Sequence, residues 1–306
     1  CVDISASAKT PLHLTHCHLS APIYHGRASE LLDVLDVASA QGVDISLDTY
    51  PYLAGSSYLH MLLPSWVQVG GIQQLRIRLQ DFEVQRAVKE ALDHTGSDGN
   101  QGGVVNWENI VIAGVERVEN KKFVGTTIAQ SASLANKAPS QFYIDLILAE
   151  DFKASIVVFG GNEENVRTIM KDERHMVGSD GILHGDRPHP RAYGTFARFL
   201  GHYSRDEKMF SLEGAVNRMT GRPARRLGLQ DRGLIKEGYV ADLVLFDHHS
   251  VADKSTFEHP RVPASGFESV WISGIPTLEK GARTDFIPGK GIRKMALSKG
   301  VGSNGS

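Results

Sequence analysis

Cysteine is scarce in this sequence of 306 residues, which contains two, Cys1 and Cys17. Two cysteines cannot build the disulfide framework that stabilises small secreted proteins. We therefore expect a protein of the reducing cytoplasm. Neither a signal peptide nor a transit peptide is recognisable in the first residues, which favours the same location.

Long apolar runs and an excess of one charge are also absent. No run approaches the roughly 18 apolar residues that a membrane-spanning helix needs. The 33 basic and 35 acidic residues give a formal net charge of -2, so the chain lacks the basic face with which proteins bind nucleic acids. We expect neither a membrane nor a nucleic acid as partner. A hydrophobic content of 41% is that of an ordinary globular protein with a sizeable core.

Strand-like and helix-like patterns alternate over the first 180 residues. Apolar strand-like runs lie at 11–16, 43–50, 110–114, 154–159 and 175–178. Helical spacing lies at 27–41, 82–93, 126–135, 141–149 and 163–171. This alternation predicts repeated βα units and a parallel sheet. About five strands are too few for a closed barrel of eight but sufficient for most of one.

The pattern changes after two further helix-like stretches at 192–203 and 212–220. Residues 233–247 and 269–273 alternate in the manner of antiparallel strands, which predicts a small β module beginning near Arg226. The last residues, rich in Gly, Ser and Lys, are typical of a disordered tail.

Three histidines lie at the end of the first strand-like run: His13, His16 and His18. We expect all three to point to one face of the strand. His16 comes last before the loop, at the edge where a parallel barrel places catalytic groups, and a neutral imidazole there can bind zinc. A hydrogen-bonded core or surface histidine is the alternative for each one.

A glycine-flanked turn with one acidic side chain follows the strand at 175–178. Asp180 stands between Gly178 and Gly181, where the backbone can approach a metal or a water closely, although an ordinary turn aspartate is also possible. His184 and the run RPHPR at 187–191 come next, and two prolines fix the directions of His189 and Arg191. Arginine in a rigid loop suits bidentate capture of a carboxylate, and a salt bridge at the loop edge is the alternative.

Hydroxyl groups mark the end of a second strand, in the run DTYPYLAGSS at 48–57. Tyr50 and Ser56 offer hydroxyls to a pocket, and aromatic packing under a proline turn is the alternative.

Taken together, these segments resemble the signature blocks of N-acyl-D-amino-acid deacylases of the amidohydrolase superfamily. The blocks occur in the family's order: THCH at 15–18, DTYPYLAGSS at 48–57, GSDG at 178–181, RPHPRAYGTFARFLGHYSR at 187–205, MTGRPARRLGLQDRGLIKEGYVADLVLFD at 219–247 and VADKSTFEHP at 251–260. The match corresponds to the C-terminal two-thirds of such an enzyme. The resemblance implies an α/β metal-dependent hydrolase with a (β/α)₈ TIM-like barrel and a small β-sandwich built from both chain ends.

On this resemblance the chain divides into three parts. Residues 1–225 would be the C-terminal part of the barrel, with an inserted segment around 60–105. Residues 226–285 would belong to the β-sandwich, and 286–306 would be the disordered tail.

The resemblance also implies roles for single residues. His16 matches a metal-binding histidine, and Asp180 matches the metal-binding aspartate that is the catalytic acid and base. Arg191, Tyr50 and Ser56 match the residues that hold the substrate carboxylate. His18 stands where the closest relatives carry lysine and would contribute less to carboxylate binding, which leaves the exact substrate open.

The activity implied is zinc-dependent hydrolysis of N-acyl-D-amino acids to a carboxylate and a free D-amino acid. The chain begins with Cys1 rather than methionine, so we expect a truncated protein whose remaining metal ligands lie upstream. Two ligands cannot make a catalytic zinc site, so we expect the chain alone to be inactive. The alternatives are hydrolysis of a cyclic amide, such as a hydantoin or dihydropyrimidine, and a non-catalytic remnant that acts as a binding protein.

Overall fold

The computed structural model describes residues 1–292 and divides them into two compact units. The first comprises Cys1–Arg198 and Asp253–Ala264, and the second comprises Phe199–Ala252 and the described residues from Ser265 onward. Most of the predicted tail lies outside the described residues. None of the described helices is long and apolar enough to cross a membrane.

The first unit holds six strands and nine helices among its described residues. The strands are β1 (Leu12–Leu14), β2 (Ile45–Thr49), β3 (Ala54–Tyr58), β4 (Ile110–Gly114), β5 (Ser155–Phe159) and β6 (His175–Val177). The helices are α1 (Val2–Ala8), α2 (Ala28–Ala40), α3 (Ser65–Gln68), α4 (Gly71–Arg78), α5 (Phe82–Glu90), α6 (Ile128–Leu134), α7 (Pro139–Ala149), α8 (Glu163–Lys171) and α9 (Arg191–Arg198). Short 3₁₀ and π turns, including a π turn at Ala91–Thr95, connect them.

A three-stranded parallel sheet in the order β1-β2-β6 carries the strand ends where site residues were predicted. Helices α2 and α8 cover it through a cluster that includes Leu35, Leu47 and Ile169. The α/β class is confirmed. Three parallel strands are fewer than the eight of a closed barrel.

The expectation that all five strands run parallel is wrong for β4 and β5. These two strands pair antiparallel in a separate sheet of order β3-β5-β4. The largest hydrophobic core packs against this sheet and includes Ile112, Tyr143 and Ile156. Because β4 and β5 are largely buried, each appears in the sequence as a continuous apolar run, which is also typical of parallel strands.

The second unit contains an antiparallel sheet, two α-helices and a π-helix at Phe199–Asp206 in its described part. The sheet has the order β10-β9-β8-β7, with β7 at Leu243–Phe246, β8 at Phe267–Ile272, β9 at Ile275–Glu279 and β10 at Ala282–Arg283, and the helices are α10 (Leu212–Met219) and α11 (Gly221–Leu227). The predicted antiparallel module is therefore present. The long strand predicted at 233–247 is reduced to its last part, since Gly233 and Gly238 adopt left-handed φ values of 83° and 82°. The domain limits expected from the resemblance stay a prediction.

Candidate active site

The carboxyl ends of the three parallel strands meet at one edge of their sheet, and the predicted site residues follow these ends. His16 and His18 come after β1, Tyr50 comes directly after β2, and Asp180 comes three residues after β6. In parallel α/β folds this edge is where ligands bind. The expectation that His13, His16 and His18 share one strand face is wrong, because β1 ends at Leu14 and strand alternation does not extend beyond it.

Arg191 is the centre of the site. It is the first residue of α9, and its side chain is 0% exposed. Its Nη2 lies 2.8 Å from Oδ2 of Asp180, whose side chain is 35% exposed. The guanidinium carbon lies 4.2 Å from the centroid of the Tyr50 ring, which is a cation–π distance.

Two of the three guanidinium nitrogens of Arg191 are unsatisfied. Nε and Nη1 are buried, and neither has a hydrogen-bond partner among the described residues. Nη2 also donates to the carbonyl oxygen of Ser56 at 3.4 Å. A buried donor without a partner costs about 1–3 kcal/mol, and native proteins keep few of them. Nε and Nη1 lie on different sides of the guanidinium, and each forms a two-donor edge with Nη2. A carboxylate that displaced Asp180 from Nη2 would therefore bind at two points.

His18 and Tyr50 form a stacked pair beside this arginine. Their ring centroids lie 4.0 Å apart, and Nε2 of His18 lies 2.5 Å from the Thr49 hydroxyl. Burial, followed by the positive charge of Arg191, lowers the pKa of His18 to about 3. Burial raises the pKa of the Tyr50 phenol. At neutral pH the pair therefore adds hydrogen-bonding groups and no charge.

His189 is bonded to backbone groups through both ring nitrogens, whereas the sequence predicted that its loop aims it at the site. The ring is 0% exposed, and its Nδ1 accepts a hydrogen bond of 3.0 Å from the Arg191 backbone N–H. Nε2 is then the protonated nitrogen and donates to the Ala54 carbonyl at 2.8 Å. Burial and the charge of Arg191 lower the pKa of His189 to about 3. This histidine ties the start of α9 to β3 and so places Arg191.

The loop between Asp180 and Arg191 rests on β4. The Arg187 N–H donates to the Ala113 carbonyl at 2.8 Å. A Cβ added to Gly114 would lie 2.3 Å from the Gly185 Cα, so the two backbones touch. The antiparallel sheet thus supports the segment that carries both members of the Asp180–Arg191 pair.

The structure assembles most, though not all, of the residues predicted from sequence. Tyr50, His18, Asp180 and Arg191 form one group. Ser56 contributes its carbonyl to Arg191, whereas the sequence pointed to its hydroxyl. His184 lies elsewhere, with Nε2 3.6 Å from Glu116 Oε1 and its ring 5.9 Å from that of Tyr58.

Asp48 is a residue of this edge to which the sequence assigned no role. Its carboxylate accepts hydrogen bonds from the His16 backbone N–H and from Nε2 of His13, both at 2.8 Å. An acidic residue next to the end of a buried strand was the signal that could have identified it.

The predicted metal ligands do not form a complete site. His16 and Asp180 both adopt left-handed φ values, 39° and 43°, which are strained for residues other than glycine. No group of three His, Cys, Asp or Glu side chains that could hold a metal occurs within residues 1–292. A catalytic zinc needs three protein ligands, so the residues present do not by themselves fit the ion.

Comparison with known proteins identifies the family of this chain. Residues 9–277 match the Amidohydrolase family. The chain belongs to this family. This amidohydrolase chain is 33% identical over 293 residues to a D-aminoacylase from Alcaligenes xylosoxydans xylosoxydans. The match covers 96% of this chain and 51% of that protein. It is 30% identical over 290 residues to an N-acyl-D-glutamate deacylase of the same organism, covering 94% and 49%.

Solved amidohydrolase structures share the fold. A D-aminoacylase described as having a binuclear metal centre matches with a TM-score of 0.73 and 32% identity, over 93% of this chain and 50% of that one. An N-acyl-D-glutamate deacylase from Bordetella bronchiseptica, complexed with zinc and a phosphonate inhibitor, matches with a TM-score of 0.71 and 28% identity, over 90% and 48%. The chain spans about half the length of these relatives, less than the two-thirds expected from its sequence.

Proposed function

We propose that the protein to which this chain belongs hydrolyses the amide bond of N-acyl-D-amino acids, releasing a carboxylate and a free D-amino acid. The observation that carries the proposal is the buried guanidinium of Arg191, with Nε and Nη1 unpartnered beside Tyr50. The named relatives, a D-aminoacylase and an N-acyl-D-glutamate deacylase, support the substrate class.

In this proposal Arg191 holds the α-carboxylate of the substrate. Asp180 is the more exposed member of the ion pair, so an incoming carboxylate competes with it for the guanidinium. A planar, bidentate contact fixes the orientation of the carboxylate and hence of the Cα substituents. Handedness at Cα then decides whether the acyl group reaches Asp180, so one enantiomer is favoured, and the named relatives support the D form.

Asp180 is the proposed acid and base. Its carboxylate accepts a proton from the attacking water and returns it to the amine nitrogen as the C–N bond breaks. The Tyr50 ring packs against the guanidinium, and the neutral His18 stacks on Tyr50. Because His18 carries no charge at neutral pH, it provides none of the charge attraction that a lysine would provide.

Zinc is the metal we propose for the whole protein, with His16 and Asp180 as two of its ligands. The zinc-containing structure of the N-acyl-D-glutamate deacylase supports this choice. The other ligands would have to lie outside residues 1–292, so no step is assigned to the metal here. A cytoplasmic location belongs to the same proposal, supported by Cys1 and Cys17 being free thiols.

The test is hydrolysis of N-acetyl-D-methionine and its L enantiomer in the presence of zinc. It compares the 306-residue chain with a longer protein extended by the upstream coding sequence. We expect D-selective turnover from the longer protein and none from the chain alone. Turnover of a hydantoin or dihydrouracil instead would favour the cyclic-amide alternative, and no turnover of any of them by the longer protein would favour the non-catalytic remnant.

Arg191→Lys in the longer protein tests the carboxylate contact. Lysine keeps the charge and lacks the planar fork, so KM should rise about 10- to 100-fold with a smaller change in kcat. Arg86→Lys is the matched control, because Arg86 is 72% exposed and pairs with Glu83 on the surface of α5. An unchanged KM for Arg191→Lys would show that another group holds the carboxylate.

A further inference from the structure

Asp48 contacts both segments that carry the proposed metal residues. It lies in β2, the middle strand of the parallel sheet, between β1 and β6. On the β1 side, Oδ1 accepts from the His16 N–H at 2.8 Å and Oδ2 accepts from His13 Nε2 at 2.8 Å. The Asp48 carbonyl accepts from the Cys17 N–H at 2.7 Å, so main chain and side chain together hold the turn at residues 15–17.

On the β6 side, Asp48 lies against Gly178, two residues before Asp180. A Cβ added to Gly178 would lie 2.6 Å from Asp48 Oδ1 and 2.9 Å from its Cγ. Gly178 is not among the residues with left-handed φ, so its backbone would accept another residue. The space that the Asp48 carboxylate occupies is therefore what requires glycine at this position.

The orientation of the carboxylate is itself held by a third contact. In the neutral ring His13 donates to Asp48 from Nε2 and accepts at Nδ1, which lies 2.7 Å from the Ser46 hydroxyl. Ser46 is buried at 8% exposure, so it closes the network from within the sheet rather than facing a ligand. A carboxylate held at both oxygens cannot rotate without breaking a hydrogen bond.

We infer that Asp48 is a positioning residue that fixes the His16 turn against the Gly178–Asp180 segment. The Asp48 carboxylate reaches from β2 to the His16 N–H and so stabilises the left-handed conformation of His16. The geometric claim stands by itself, and its consequence for catalysis rests on the proposed function. Asp48 itself would touch neither substrate nor leaving group.

Asp48→Asn makes the inference testable by NMR on the ¹⁵N-labelled 306-residue chain. Asparagine can still accept the His16 N–H through Oδ1, but its NH₂ group now faces His13 Nε2. His13 must then accept at Nε2 and carry its proton on Nδ1, which the Ser46 hydroxyl can accept. We expect the ring nitrogen shifts of His13 to change from the Nε2–H to the Nδ1–H tautomer. Retention of the Nε2–H tautomer would overturn the network.

Asp48→Ala and Gly178→Ala test the turn. Alanine at 48 removes the acceptor of the His16 amide, whose hydrogen exchange should speed up by about tenfold or more. Alanine at 178 displaces the carboxylate and should move the same amide resonance. Asp33→Asn on the exposed face of α2 and Gly103→Ala, whose added Cβ meets nothing closer than 3.6 Å, are the matched controls. A His16 amide that exchanges within about twofold of the parent in Asp48→Ala would overturn the inference.

Activity of the longer protein separates this inference from the proposed function. Asp48→Ala should lower kcat with little change in KM, because Arg191 is untouched. If the NMR changes occur and the parent protein hydrolyses neither enantiomer, the positioning role stands and the proposed function fails. If the parent is active and Asp48→Ala raises KM while kcat is kept, Asp48 acts on substrate binding and the inference is wrong.

Discussion

The two members of the Asp180–Arg191 ion pair should contribute differently to stability, so that replacing Asp180 lowers the free energy of unfolding more than replacing Arg191 does. Asp180→Asn leaves a guanidinium that is 0% exposed without a counter-ion. Removing one partner of a buried pair costs about 3–5 kcal/mol, and because asparagine keeps one acceptor for Nη2 we expect about 2–3 kcal/mol. Arg191→Met leaves Asp180, which is 35% exposed and can be hydrated.

The loss for Arg191→Met is small because favourable and unfavourable contributions offset each other. Losing the ion pair with the partly exposed Asp180 costs about 1 kcal/mol, and losing the contact with the Tyr50 ring costs about 1–2 kcal/mol. Against this, methionine removes two buried donors without partners, at Nε and Nη1, each costing about 1–3 kcal/mol. Methionine also fills most of the volume with a flexible apolar chain. We therefore expect Arg191→Met to lower the free energy of unfolding by no more than about 1 kcal/mol.

Urea denaturation followed by tryptophan fluorescence measures both variants, with Arg86→Met as the exposed control. Asp180→Asn should be less stable than Arg191→Met, and the double variant should resemble Arg191→Met, since no buried charge remains. If Arg191→Met costs more than about 3 kcal/mol, or more than Asp180→Asn, then Nε and Nη1 of Arg191 are not unsatisfied donors.

Three further outcomes follow from single contacts. His189 is neutral when folded, with its pKa near 3 against an ordinary 6.5, so the unfolded state binds the proton first and stability falls as the pH falls. Between pH 7.5 and 5 it should contribute about 2 kcal/mol to the loss of unfolding free energy, and His18, whose pKa is also about 3, should contribute a similar amount. His189→Asn should therefore reduce the loss by about 2 kcal/mol, as urea titrations at both pH values would show. Gly114→Ala forces its Cβ into the Gly185 backbone and should cost about 1–3 kcal/mol by the same assay, whereas an unchanged stability would show that the loop moves freely. Cys17 is buried with its pKa raised to about 11, so at pH 8 a disulfide reagent should modify Cys1 at least about 100-fold faster, and equal rates would contradict its burial.

Local structure was largely readable from the sequence. The spacing of Leu31, Leu35 and Ala38 predicted a helix at 27–41, and α2 spans Ala28–Ala40. The predicted helix at 163–171 agrees with α8 at both ends, where the Asn162 side chain accepts from the Asn165 N–H and caps the helix. These features depend on residues three or four positions apart, so a local pattern is sufficient to reveal them.

The sequence predicted part of the site. Tyr50, Asp180 and Arg191 were named from motifs and the family resemblance, and the structure places them together. The motif could not show that the Arg191 side chain is fully buried, or that His189 serves the backbone of Arg191 rather than a ligand. Their roles in catalysis stay predictions.

Residue pattern and the family resemblance therefore determined most of the elements, the α/β class and the candidate side chains. Only the tertiary structure decided that β4 and β5 run antiparallel, because a buried apolar run carries no record of its partner's direction. The tertiary structure also decided which distant residues are in contact. Asp48 and His16 are 32 residues apart, and Arg191 and Ser56 are 135 apart, so their contacts depend on how the strands pair and not on any local period.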